Sequence, residues 1–132
     1  MKLVSFSDGG ARGNPGPAAI GVVIKDISGT VLKRIKQTIG ETTNNQAEYK
    51  ALLCAINESL ALGAEELLCH LDSELVVKQM QGKYKIKEPG LQLLAAEALK
   101  LTSKFKKIEF KHVRREQNAD ADKLVNQALD NE

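Results

Sequence analysis

The order of β-prone and helix-prone segments constrains the fold of this chain more than any other feature. Three β-prone segments follow one another through short connections, and we predict strands over Leu3–Ser7, Ala18–Asp26 and Val31–Ile39. Parallel pairing needs a long crossover between strands, whereas antiparallel strands can be joined by a short turn. The first part of the sheet is therefore predicted to be an antiparallel meander.

Helices separate the later strands. A helix is predicted over Ala47–Leu62, where positions 48, 52, 55, 56 and 59 share one face. The remaining predicted elements are a strand over Glu66–Leu71, a short helix from its cap Ser73 through Met80, a linker over Gly82–Gly90, a helix over Leu91–Lys104, a strand over Lys107–Val113 and a helix over Asn118–Asp130. Strands separated by helices imply parallel crossovers, so the predicted fold class is α/β with one mixed sheet.

The segment Gly9–Pro17 is rich in glycine and proline and is predicted to be turn and loop. The 132 residues show no repeat or domain boundary, so a single domain over 1–132 is expected.

Composition excludes few functions. A formal net charge of +2 neither demands nor excludes a nucleic-acid partner, but 4% aromatic residues without tryptophan argue against a single-strand binder that stacks bases. Cys54 and Cys69 lie in apolar segments and are expected to be buried thiols in a reducing compartment. The short, broken apolar stretch at the amino terminus does not resemble a signal peptide. A soluble, cytoplasmic protein is expected.

Four acidic residues are predicted at the ends of elements. Asp8 ends the first strand and Asp72 ends the fourth, while Glu48 begins the long helix and Asp122 opens the last one. If the first and fourth strands are parallel neighbours, both aspartates emerge at the carboxyl edge of the sheet, where open α/β sheets bind ligands. Clustered carboxylates repel one another unless cations lie between them, and oxygen-only ligands suit Mg²⁺ or Mn²⁺.

Each acid also has a structural interpretation. Asp8 could be a turn residue before two glycines, Asp72 a helix cap, Glu48 a first-turn acid that favours the helix dipole and Asp122 a solvated helix residue. Their joint placement at one predicted sheet edge favours a metal site.

Four segments resemble the type 1 ribonuclease H family, in a compact form that lacks the family's basic protrusion. They are FSDGGARGNPG at 6–16, TNNQAEY at 43–49, LDSE at 71–74 and NADADKL at 118–124. The resemblance implies a five-stranded mixed sheet of order 3-2-1-4-5 with helices on both faces. It also implies an endoribonuclease that cuts the RNA strand of RNA–DNA hybrids and leaves 3′-hydroxyl and 5′-phosphate ends.

The resemblance assigns the catalytic, metal-binding carboxylates to Asp8, Glu48, Asp72 and Asp122, with Asp120 as a rival for the last. Two Mg²⁺ or Mn²⁺ ions are implied, with Asp8 on both of them. The implied substrate-binding residues are the backbone of Gly9, Gly10, Ala11 and Arg12, the side chains of Asn14, Asn44, Asn45 and Gln46, and Thr43 for a phosphate of the DNA strand.

Two features depart from the family pattern. Many members carry a histidine on a loop before the last aspartate. His112 has the usual spacing from Asp122, but it is predicted to lie in a strand. Arg115 is therefore predicted to assist catalysis instead. The region after Asp72 lacks the tryptophan-rich basic protrusion and has only the lysines at 83, 85 and 87, which belong either to a solvated linker or to a phosphate contact.

Two other functions have to be weighed. A non-cleaving hybrid-binding module would gain from losing acids close to phosphates, and all four are present. Junction resolvases and transposase-type nucleases share the acidic edge but lack the GNPG and NNxxE segments. A monomer is expected, and the sequence leaves open which ion is preferred and whether duplex RNA is also cut.

Overall fold

Five strands form one mixed sheet, and they are β1 Lys2–Ala11, β2 Gly16–Asp26, β3 Val31–Thr42, β4 Glu66–Leu71 and β5 Lys107–His112. The structure is a computed structural model that describes residues 1–132. Pairing is antiparallel between β1, β2 and β3 and parallel between β1, β4 and β5. The order across the sheet is β3-β2-β1-β4-β5. The predicted fold class and strand order are confirmed.

Helices cover both faces of the sheet. They are α1 Asn44–Ala61, α2 Glu74–Met80, α3 Pro89–Thr102 and α4 Ala119–Leu129, and a 3-10 turn over Arg115–Asn118 precedes α4. The backbone of α1 lies against Gly9 of β1, and the backbone of α4 lies against Gly21 of β2. Gly9 pairs with Ile20, one position from Gly21, so the two glycines face opposite sides of the sheet.

The predicted core face of α1 is confirmed. Its five positions are all buried, and they are Glu48, Leu52, Ala55, Ile56 and Ser59. The hydrophobic core lies between α1, α3 and the sheet, and it contains Cys69 with Cys54 half-buried beside it. Both cysteines are free thiols; the predicted burial is confirmed for Cys69, whereas Cys54 is only half-buried because it lies at the margin of the core. No helix has the length and apolar character needed to cross a membrane.

The glycine-rich segment differs from its prediction as a loop. β1 continues to Ala11 and β2 begins at Gly16, so only Arg12–Pro15 connects them. Hydrogen bonding to β2 explains the extension, because Gly9 pairs with Ile20 and Ala11 with Ala18. The glycines fit a strand here because a helix backbone lies directly over Gly9 and leaves no room for a Cβ atom.

Helix ends shift by two or three residues for reasons of capping. α1 begins at Asn44 rather than Ala47, because the Thr43 hydroxyl accepts a hydrogen bond from Gln46 N at 3.2 Å. α3 begins at Pro89, because the N–H of a first helical residue has no partner within the helix and proline lacks that group. The predicted cap Ser73 is confirmed on α2, where its hydroxyl accepts from Val76 N. The 3-10 turn was not predicted.

Candidate active site

Parallel pairing of β1 with β4 places Asp8 beside Asp72. Ser7 pairs with Leu71 as the last pair of the two strands, and the two aspartates follow at the next position on each. The expectation that Asp8 ends its strand is wrong, because β1 continues along β2 for three more residues. Asp8 instead lies where β1 loses its neighbour β4, which puts its carboxylate at the carboxyl edge of the parallel half of the sheet.

Gly9 brings the third carboxylate, Glu48, to this edge. A methyl group on Gly9 would overlap the carbonyl oxygen of Ala47, so only glycine lets the first turn of α1 approach β1 this closely. Gly9 N then donates a hydrogen bond to Glu48 Oε1 at 3.1 Å. The close approach therefore positions the Glu48 carboxylate beside Asp8.

The donor set of this cluster fits a hard cation. One carboxylate oxygen from each of Asp8, Glu48 and Asp72 lies within 4.8 Å of the others. Glu48 is 8% exposed, and its Oε2 is buried without a hydrogen-bond partner. Oxygen-only ligands are those that Mg²⁺ and Mn²⁺ prefer, and an unpaired buried carboxylate oxygen is unfavourable unless a cation neutralises it.

Burial and mutual repulsion raise the pKa values of the two most buried acids. Burial, followed by the negative charges of Asp72 and Asp122, raises the pKa of Asp8 to about 7, against a smaller lowering by its hydrogen bond with Glu48. Burial and the charge of Asp8 raise the pKa of Glu48 well above its ordinary value. Without a bound cation, the cluster therefore resists full ionisation at neutral pH.

Asp122 reaches the same cavity from α4. Asn118, which is 1% exposed, donates from Nδ2 to the carbonyl oxygen of Ser7 at 2.9 Å and so ties the start of α4 to the residue before Asp8. Asp122 follows one helical turn later and is close enough to Asp8 to raise its pKa. The rival Asp120 is exposed and lies outside this cavity.

An open cavity of about 480 Å³ contains all four acids. Asn44, Arg12 and Arg115 also line it. Its walls include four residues that the sequence prediction did not name, which are Ser73, Val125, Asn126 and Leu129. The last three could have been found from Asp122, because residues three, four and seven positions further on share its face of the helix.

Arg115 lines the cavity, whereas His112 does not. The guanidinium Nη2 of Arg115 lies 3.9 Å from Asp122 Oδ1, and its side chain is 82% exposed. His112 is the last residue of β5, and its Nε2 lies 3.3 Å from the carbonyl oxygen of Asp72. The strand position predicted for His112 is confirmed, and Arg115 is a cationic side chain that lies within 4 Å of one of the four acids, Asp122.

Two of the predicted substrate-binding asparagines, Asn14 and Asn44, hold the loop between β1 and β2. Asn44 Oδ1 accepts a hydrogen bond from Ala11 N at 2.8 Å, and Asn14 Oδ1 accepts one from Asn44 N at 3.0 Å. Both amide nitrogens are left without a partner in the protein. Arg12 donates from Nη1 to Asp130 at 2.6 Å, which ties the loop to the end of α4.

The remaining predicted substrate residues lie beside the cavity rather than in it. Thr43 caps α1, and the Thr42 hydroxyl donates to Gln46 Oε1. Asn45 is half-buried and makes no side-chain hydrogen bond within the protein. Their roles in substrate binding stay predictions.

The raised pKa values predict how the stability of the metal-free protein depends on pH. A carboxyl whose folded pKa is raised contributes stability at low pH that is lost as pH rises through the folded pKa. As the pH rises from 5 to 8 in EDTA, ionisation of Asp8 should therefore lower the free energy of unfolding by on the order of 2 kcal/mol. The measurement is urea unfolding at several pH values, taken as the difference between wild type and Asp8→Asn.

That difference is needed because His70 acts in the opposite direction. Burial lowers the pKa of His70, so its contribution to stability increases as pH rises. His70 is common to both proteins and cancels in the difference. A difference that does not change with pH would contradict the raised pKa of Asp8, and Mg²⁺ is expected to restore the stability lost at high pH.

Comparison with known proteins agrees with this geometry. A family profile described as reverse transcriptase-like matches residues 6–128. The crystal structure of ribonuclease H1 from the halophilic archaeon Halobacterium salinarum superposes with a TM-score of 0.97 at 38% identity and covers 100% of both chains. The chain belongs to the type 1 ribonuclease H family.

Two further relatives show how far the match extends. The ribonuclease H1 called LC11, isolated from compost and solved in complex with an RNA/DNA hybrid, is 46% identical over 98% of this chain and 97% of its own, with a TM-score of 0.93. The bifunctional protein Rv2228c of Mycobacterium tuberculosis is 46% identical over 131 residues. The match covers 98% of this type 1 ribonuclease H chain but only 36% of the length of Rv2228c.

Proposed function

We propose that the chain is a metal-dependent endoribonuclease that hydrolyses the RNA strand of RNA–DNA hybrids. The observation that carries the proposal is the cluster of Asp8, Glu48 and Asp72, whose carboxylate oxygens lie within 4.8 Å of one another in an open cavity. Membership of the type 1 ribonuclease H family supports this activity, and the LC11 relative supports the hybrid as substrate, since its structure contains one.

Two divalent cations, Mg²⁺ or Mn²⁺, would be held by the acids of the cavity. Asp8 interacts with Glu48, Asp72 and Asp122, so it is the residue that would serve both ions. When bound, such a pair activates a water molecule and stabilises the leaving oxygen of a phosphodiester. The expected products therefore carry 3′-hydroxyl and 5′-phosphate ends.

The chain's own residues bind and orient the hybrid. The N–H groups of Asn14 and Asn44 that lack protein partners can donate to the minor groove, and the 2′-hydroxyl is the group that distinguishes RNA from DNA there. The loop ties from Asn44 to Ala11 and from Arg12 to Asp130 hold this surface in place before substrate arrives. Thr43 and Gln46 extend it along α1.

Arg115 is proposed to hold the scissile phosphate beside Asp122. Its exposed guanidinium carries a positive charge next to the acids, at 3.9 Å from Asp122 Oδ1. Arg115→Ala is expected to reduce kcat about 10- to 100-fold because transition-state charge is then less well stabilised. Arg114→Ala, the exposed neighbour that does not line the cavity, is the matched control in the same kinetic assay. Equal effects of the two variants would contradict this role.

The lysines at 83, 85 and 87 are proposed to contact backbone phosphates. All three are exposed, and the backbone between them is held by Gln79, which donates to Lys85 O at 3.4 Å, and by Gln92, which donates to Ile86 O at 2.7 Å. The segment is therefore anchored to α2 and α3 rather than free.

Replacing these three lysines with glutamine is expected to weaken hybrid binding and to reduce its salt dependence. The slope of log K against log salt should become shallower by about 1 or more, because fewer counterions are released. Glutamine at Lys2 in β1, Lys100 in the last turn of α3 and Lys104 just after that helix removes the same charge and serves as the control. If both triple variants change the slope equally, the lysines at 83, 85 and 87 have no specific contact with the backbone phosphates.

The proposed activity is tested by comparing four substrates in one assay. RNA–DNA hybrid, duplex DNA, duplex RNA and a four-way junction are incubated with the protein and Mg²⁺ or Mn²⁺, with EDTA as the control. We expect cleavage of the RNA strand of the hybrid and no cut in duplex DNA or the junction. Binding of hybrid in EDTA without turnover in either ion would instead identify a non-cleaving module, and junction cleavage would identify a resolvase.

One sheet with one core cluster supports a single domain over 1–132. We propose that this domain acts as a monomer, and sedimentation at micromolar concentration tests that state.

A further inference from the structure

Gly90, at the start of α3, lies against the side chain of Gln46 on α1. A methyl group built on Gly90 would lie 2.8 Å from Gln46 Nε2, closer than a carbon and a nitrogen can approach without a shift. The other end of the amide is also fixed, because Gln46 Oε1 accepts a hydrogen bond from the Thr42 hydroxyl. The amide is thus held between β3 and the first turn of α3.

This arrangement leaves the amide nitrogen available to a ligand. Gln46 Nε2 has no acceptor within the protein, and the side chain is half-buried rather than enclosed. Two N–H groups in a fixed direction are suitable donors to a base edge or a ribose oxygen. Their direction depends on the absence of a side chain at position 90.

The first turn of α3 is itself held in place relative to α1. Tyr49 donates from its hydroxyl to Gln79 Oε1 at 2.6 Å, and Gln79 donates to Lys85 O. Gln92, in the first turn of α3, holds Ile86 O at 2.7 Å. Gly90 therefore cannot move away easily, and a methyl group there would displace the flexible end of Gln46 instead.

We infer that Gly90 is a positioning residue that sets the orientation of the Gln46 amide for recognition of the hybrid. The inference rests on the proposed function, because it gives Gln46 a role in binding that substrate. Gly90 does not have a left-handed φ, so alanine is compatible with the backbone, and alanine is also the better helix former. Gly90→Ala should therefore leave the melting temperature unchanged or raise it while weakening binding.

The test is a double-mutant cycle on the dissociation constant for the hybrid, measured in EDTA so that no cleavage occurs. Gln46→Ala and Gly90→Ala are each expected to weaken binding about 3- to 10-fold, the loss typical of one hydrogen bond. The double variant should bind no more weakly than Gln46→Ala alone, because the added methyl then has no amide to displace. A second measurement is the position of the Gln46 side-chain amide signals in an NMR spectrum of the free protein, which Gly90→Ala should move.

The outcomes separate this inference from the proposed function. If Gln46→Ala weakens binding but Gly90→Ala does not, or if the two effects multiply in the double variant, the positioning role of Gly90 is wrong. If Gln46→Ala binds the hybrid like wild type, Gln46 is not a substrate residue. Its proposed contact with the hybrid and the positioning role of Gly90 are then both wrong. Unmoved Gln46 amide signals in Gly90→Ala would overturn the positioning role without reference to any substrate.

Discussion

Asp8→Asn is expected to reduce hybrid cleavage by a factor of about 10³ or more and, at the same time, to stabilise the metal-free protein. Cleavage is lost because Asp8 interacts with all three of the other acids, and removal of its charge costs several kcal/mol of cation binding and transition-state stabilisation. Stability rises because burial and the charges of Asp72 and Asp122 disfavour an ionised Asp8 at neutral pH.

The two effects are measured by single-turnover cleavage in Mg²⁺ and by urea unfolding in EDTA at pH 8. Asp120→Asn is the matched control, since it removes the same charge two residues before Asp122 but outside the cavity. We expect that control to cleave at the wild-type rate. An Asp8→Asn protein that keeps full activity would remove Asp8 from the mechanism, and one that is less stable in EDTA would contradict the repulsion within the cluster.

Gly9→Ala is expected to destabilise the protein by about 3 kcal/mol or more, whereas Gly10→Ala should change stability by less than about 1 kcal/mol. The two glycines are adjacent in β1 but face opposite sides of the sheet. A methyl group on Gly9 would overlap the backbone of Ala47, which cannot move without shifting α1. At Gly10 the nearest atom to such a methyl is Val125 Cγ1 at 3.7 Å, an ordinary contact.

Urea unfolding of both variants checks this prediction, with the melting temperature as a second reading. Gly9→Ala should also lose cleavage beyond its loss of stability, because displacement of α1 moves Glu48 away from Asp8. Equal stability of the two variants would show that α1 is not in close contact with β1, and the placement of Glu48 would then need another explanation.

The fold could be predicted from the sequence because element order and hydrophobic periodicity both restrict topology strongly. Three strands with short connections imply a meander, and later strands separated by helices imply parallel pairing. The sequence could not show that Gly9–Ala11 belongs to β1. Glycine-rich sequence normally indicates a loop, and the structure uses it as a strand because α1 and β2 pack against it.

The carboxylates of the candidate site could also be placed from the sequence, because their positions at element ends follow from the same patterns. The contacts that hold them could not, since each joins residues far apart in the chain. Asn118 reaches Ser7 across 111 positions, and Gly90 makes room for Gln46 across the groove between two helices. Spacing within one segment carries no information on such packing, whereas Asn126 and Leu129 could have been inferred from Asp122 by helical periodicity.

The chemistry of the cut ends tests the central claim most directly. An end-labelled RNA–DNA hybrid is incubated with the protein in Mg²⁺, in Mn²⁺ and in EDTA, and the termini of the RNA fragments are identified. We predict 3′-hydroxyl and 5′-phosphate ends in at least one of the two ions and no fragments in EDTA. Fragments that form in EDTA, or that end in a 2′,3′-cyclic phosphate, would contradict metal-dependent hydrolysis by the carboxylate cluster.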